Sequence, residues 1–152
     1  MYTLALLIHS WLRWVALVAA VGAIATTAAD RSTTLRTSRA DLWGLALMIT
    51  LDLQMLLGLL LYLVLSPFTT EALSDFGAAM KNPALRFFAV EHVALMFAAV
   101  VLVHVGRVMA RKAATADAKR SRLLICVVLA TIAMLFAIPW PGMSSGRPLF
   151  RL

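Results

Sequence analysis

Apolar and polar stretches alternate along the chain on a long period, giving four apolar runs separated by short polar segments, and each run reads as a membrane-crossing helix. The first, from Tyr2 to Ala29, is interrupted only by Thr3, His9, Ser10, Arg13 and two threonines, and ends in the polar stretch Asp30 to Asp41. A leucine-rich second run from Leu42 to Ser66 stops at Pro67, because proline cannot continue the helical hydrogen-bond ladder. Phe68 to Asn82 reads as a loop. Pro83 then suits the first turn of a third helix, with Asn82 as its N-cap, and that helix runs to Ala110. The basic segment Arg111 to Arg122 leads to a fourth run, Leu123 to Ile138, ended by Pro139-Trp140-Pro141-Gly142 and a tail over 139–152. The expected spans are therefore 3–29, 42–66, 83–110 and 123–138. The first lacks a basic leader and a cleavage motif, so it reads as an uncleaved helix.

Composition sharpens the class. With 62% hydrophobic and 14% charged residues in 152 positions, the chain carries more apolar surface than one small core can bury, and the surplus must face lipid. The expected fold is all-α: an integral membrane four-helix bundle forming a single domain over residues 1–152. A large aqueous catalytic cleft, a nucleotide-binding sheet and a disulfide-stapled module are excluded; the lone cysteine, Cys126, has no partner in the chain.

Fourteen Lys and Arg against seven Asp and Glu would suggest nucleic acid in a soluble protein, but here their positions decide otherwise. Nine of the cations (Arg31, Arg36, Arg39, Arg107, Arg111, Lys112, Lys119, Arg120 and Arg122) fall at the first and third connections. They read as topology signals and contacts to anionic lipid headgroups, with no nucleic-acid partner. Lys81, Arg86, Arg147 and Arg151, with Arg13 nearby, lie toward the other side. The positive-inside rule then places both termini outside the cytoplasm.

Ionisable side chains at membrane depth are costly and mark function. Those here are His9, Arg13, Asp52, Glu91, His92 and His104. At about 1.5 Å rise per residue, Arg13, Glu91 and His92 fall at similar depth in the outer leaflet, with His9 about a turn nearer the surface. An Arg13–Glu91 ion pair is expected from that depth, and the four-residue spacing puts His9 and Arg13 on one helix face. Two histidines from neighbouring helices at one depth are the axial ligand set of a b-type haem, with Ala5, Ala89 and Ala94 permitting close approach. The competing reading makes Trp11, Arg13 and Trp14 an interfacial anchor with His9 among headgroups. His104 lies about 18 Å from His92 along the helix and is expected beside Arg107. Asp52 has no evident cation at its depth.

The stretches His9-Ser-Trp-Leu-Arg-Trp14, Gln54-Met-Leu-Leu-Gly-Leu-Leu-Leu-Tyr62, Leu85-Arg-Phe-Phe-Ala-Val-Glu-His92, Gly106-Arg107 and Ile138-Pro-Trp-Pro141 resemble small bacterial four-span proteins labelled cytochrome b-like. The resemblance implies a multi-pass bundle in the bacterial inner membrane, with His92 and His9 as haem-iron ligand candidates. Family members often carry a histidine in the second span just before the glutamine, where this chain has Asp52-Leu53-Gln54.

Three functions are expected on this basis. The first is a redox subunit holding one haem b within a larger membrane complex, exchanging electrons with a quinone, with Arg13 facing a propionate or Glu91. The second is an accessory subunit of a respiratory or photosynthetic assembly, its tail lying along a neighbour. The third is a proton-coupled carrier using Asp52 and Glu91.

Overall fold

The computed structural model describes residues 1–31, 33 and 35–150; Arg151, counted above among the outer cations, lies outside the described residues. Four long helices dominate: α1 (Tyr2–Ala29), α2 (Arg39–Leu65), α5 (Pro83–Arg111) and α6 (Ala116–Ala137), each long and apolar enough to cross a membrane. Two short helices, α3 (Pro67–Ser74) and α4 (Phe76–Lys81), replace the loop expected between the second and third spans. No strand occurs among the described residues. In chain order α1 and α2 form one antiparallel hairpin and α5 and α6 the other, and the hairpins close a square through the α1–α6 and α2–α5 seams.

Local chemistry sets most boundaries. Ser38 caps α2 in a capping box with Asp41, whose carboxylate accepts from the Ser38 backbone N–H at 2.9 Å. Ser66 caps α3 with Pro67 at its first position, Asp75 caps α4, and Asn82 caps α5 with Pro83 next in the chain. The fourth span begins at Ala116, earlier than hydropathy indicates, because the Thr115 hydroxyl accepts from Ala118 N at 3.2 Å and Asp117 sits in the first turn. Lys119, Arg120 and Arg122 thus belong to a helix. Their side chains bind within the bundle's end: Lys119 donates to Asp41 at 2.7 Å, Arg120 to Asp30 O at 2.9 Å and Arg122 to Met109 O at 3.0 Å.

The helices touch through small residues. Ala16, Ala19, Ala20 and Ala23 of α1, Ala99 of α5 and Ala130 of α6 are buried around Leu47, Leu51, Val103 and Val127. In a bilayer, close backbone approach and dispersion hold helices together, because lipid is as apolar as leucine. The large aliphatics Leu4, Val18, Leu56 and Leu63, with Phe97 and Phe136, point outward. Gly106 marks a close crossing of α5 with α6, since a Cβ there would lie 2.5 Å from Cys126 Cβ. Gly44 leaves room for the buried Arg107, whose Nη1 donates to Asp41 O at 2.9 Å.

Candidate functional site

The first turns of α1, the far half of α2, the start of α5 and the end of α6 converge at the bundle end that also carries α3, α4 and the tail. Two departures from α-helical winding shape this end. Leu61–Leu65 in α2 and Phe87–Glu91 in α5 each adopt a π turn, which widens the helix and rotates the residues beyond it. Carbonyls at these turns find side-chain donors: the Tyr62 hydroxyl donates to Ala89 O at 2.9 Å and the Thr69 hydroxyl to Tyr62 O at 2.7 Å. The π turn of α5 ends directly before His92.

The rings of His9 and His92 are neighbours in an edge-type arrangement, with centroids 6.2 Å apart and an interplanar angle of 60°. His92 Nδ1 donates to Ala137 O at 2.7 Å, which fixes its tautomer and leaves Nε2 with a free lone pair. Across the pair, His9 Nδ1 is buried without a hydrogen-bond partner, as is Oε1 of Gln54, whose amide nitrogen donates to His9 O at 3.0 Å. Gly58 makes the space for the His9 ring, since a Cβ there would stand 3.3 Å from its Cε1. Both histidines, Gln54, Arg13 and Arg147 line one cavity of about 150 Å³ that is partly open to its surroundings. Buried polar atoms without protein partners are rare in folded proteins, and two of them bordering one cavity leave hydrogen-bonding positions that water or a ligand would fill.

The remaining sequence-level candidates separate. Arg13 lines the cavity and donates from Nη2 to Leu149 O at 2.7 Å. The expected Arg13–Glu91 pair is not formed: Glu91 accepts from Arg86 Nε at 2.7 Å, and their side chains are nearly half exposed. Glu91, next to His92 in the chain and so about 100° round the helix from it, does not line the cavity. Ala5 and Ala89 are buried in the bundle, whereas Ala94 is exposed. His104 Nε2 lies 3.6 Å from Asp52 Oδ2, which gives Asp52 a basic neighbour the sequence did not reveal, while Arg107, three residues further along α5, turns inward to Asp41 O.

The tail, read from sequence as able to lie along a neighbouring subunit, folds onto its own bundle. Leu149 O also accepts from Trp14 Nε1 at 3.2 Å, and the Phe150 ring stacks on Trp14 at 5.2 Å. Trp11 and Trp14 therefore hold the tail, in addition to any anchoring at the interface. Arg147 lies over Phe68 at 4.5 Å and over Phe88 at 5.1 Å, placing its guanidinium at the cavity wall.

These residues fit an iron macrocycle by their chemistry. Two imidazoles joined to opposite sides of one metal by bonds of about 2 Å have ring centroids about 6 Å apart, close to the separation found here. A ligand histidine characteristically donates its other N–H to a carbonyl, as His92 does to Ala137. Among the described residues no third His, Cys, Asp or Glu joins the pair. Two ligands are too few for a bare ion, so any metal held here would need a macrocycle to fill its other positions. Arg13 and Arg147 provide positive charge for carboxylates at the wall. The enclosed volume is on the scale of one benzene ring, so a macrocycle must also use the open side. No family model, curated protein or solved structure matches this chain.

Proposed function

We propose that this chain is a small membrane redox subunit that holds one haem b between His9 and His92, exchanging electrons with a quinol and with a partner in a larger complex. The observation that carries the reading is the imidazole pair with ring centroids 6.2 Å apart, with His92 locked through Nδ1 on Ala137 O. Bound there, haem supplies one-electron chemistry at its iron. The chain's residues would do the rest: His92 and His9 would ligate, Gln54 holds the α1 backbone at His9, Gly58 admits the ring, and Arg13 and Arg147 at the cavity wall would offer cations to the haem carboxylates. The asymmetry of basic residues supports a cavity on the non-cytoplasmic side, and the cytochrome b-like motifs favour a bacterial inner membrane. Glu91 has no part in this site.

The enclosed volume favours a second reading, in which the cavity receives a single quinol ring hydrogen-bonded by His9 and Gln54. A dithionite-reduced minus oxidised spectrum of the purified protein separates the two. A Soret band and an α-band at about one haem per chain, both lost in His92→Ala while the protein still inserts, is the expected result. A colourless protein that yields extractable quinone favours the second reading, and one that carries neither overturns both.

A further inference from the structure

The seam between α2 and α5 carries a feature unrelated to the cavity. Asp52 sits at the middle of its span and His104 lies within its own, seven residues before Arg111, yet their side chains are 41% and 45% exposed on the outer surface of the bundle. Around them the surface is apolar: Ile49 and Leu56 flank Asp52 one turn either way, and Val101 and Val108 flank His104. An acid and an imidazole facing hydrocarbon at this depth are costly, so polar residues at such positions normally face protein.

The pair does not satisfy itself. His104 Nδ1 donates to Val100 O at 3.0 Å, so Nε2 is the atom turned toward Asp52. At 3.6 Å the gap to Oδ2 is longer than a hydrogen bond. The carboxyl group retains acceptor positions, and the imidazole Nε2 at 3.6 Å is left without a hydrogen bond of its own. The patch therefore displays one acid and one base, side by side, in an otherwise apolar field. Such a patch is complementary to itself. Rotated by a two-fold axis, Asp52 of one copy meets His104 of the other, and the two contacts form together, as an isologous interface requires.

We infer that the α2–α5 seam is a homodimer interface, with a second copy of this chain covering Asp52 and His104 in the membrane. The inference does not rest on the haem reading. Self-complementarity of charge selects a second copy over a different protein, which would need an unrelated surface of matching pattern.

The test uses the full chain in lipid nanodiscs and liposomes. Wild-type protein should be dimeric. In an otherwise unchanged background a cysteine at Leu56 should crosslink between copies, while one at Val18, exposed on α1, should not. His104→Leu should weaken the dimer by about tenfold, because one substitution removes two symmetric contacts. The exchange Asp52→His with His104→Asp should restore it, which separates pairing from misfolding. A wild-type monomer at high protein-to-lipid ratio, a crosslink through Val18 in place of Leu56, or a dimer indifferent to His104→Leu would each overturn the inference. A heteromer that buries Leu56 against another protein would overturn it as well.

Discussion

Gly106→Ala tests the packing that sets the α5–α6 seam, on which the His92–Ala137 contact depends. A Cβ at residue 106 falls 2.5 Å from Cys126 Cβ and 3.2 Å from its Sγ. Carbon atoms in ordinary contact stand about 3.5–4.0 Å apart, so the overlap is about 1 Å. Both carbons are attached directly to backbone and neither can rotate away, so the helices must separate. Overpacking of this kind costs about 1–3 kcal/mol, and replacing glycine with alanine inside a helix returns up to about 1 kcal/mol. The expected net loss is about 1–2 kcal/mol, roughly a tenfold shift in the folding equilibrium. It is read from the midpoint of reversible SDS unfolding in mixed micelles, monitored by helical circular dichroism. Cys126→Gly in the Gly106→Ala background removes the facing Cβ and should recover most of the loss. A Gly106→Ala protein as stable as wild type, or a double variant no better than the sum of the single ones, would refute the argument.

Other consequences are nearer the cavity. Gly58→Val places side-chain atoms against the His9 ring, so haem bound per chain should fall well below wild type in a pyridine haemochrome assay, while helical content is unchanged. Deleting residues 143–152 removes the Leu149 carbonyl from Arg13 and Trp14 and the Phe150 ring from Trp14, and limited proteolysis near Pro139 should accelerate several-fold. Gln54→Leu removes the hydrogen bond to His9 O and should cost about 0.5–1.5 kcal/mol in the same SDS titration, the range of membrane interhelical hydrogen bonds. Thr115→Ala should cost about 1 kcal/mol by removing the cap of α6, and Thr115→Ser should restore it.

The four spans were legible in sequence because lipid imposes a length and a composition on any helix that crosses it, and runs such as Leu42 to Ser66 meet both. The Asn82 cap with Pro83 was legible because capping depends on neighbours in the chain. Thr115 and Asp117 carried the same kind of signal, yet hydropathy alone set the fourth span too late. The pairing of His9 with His92 was accessible from depth, since helix rise is regular and both residues count from polar boundaries. Depth carries no azimuth, however, and azimuth separated the remaining candidates. The π turn over Phe87–Glu91 has no marker in the residues themselves; Glu91 pairs with Arg86, and Arg13 with the tail. The meeting of Asp52 with His104, and the return of Leu149 and Phe150 onto Trp14, join residues far apart in the chain, so only the packing of whole helices could decide them. Spacing in the chain determines what lies at one height in the membrane, whereas helix rotation and close approach, set by residues such as Gly106 and Gly58, determine what touches.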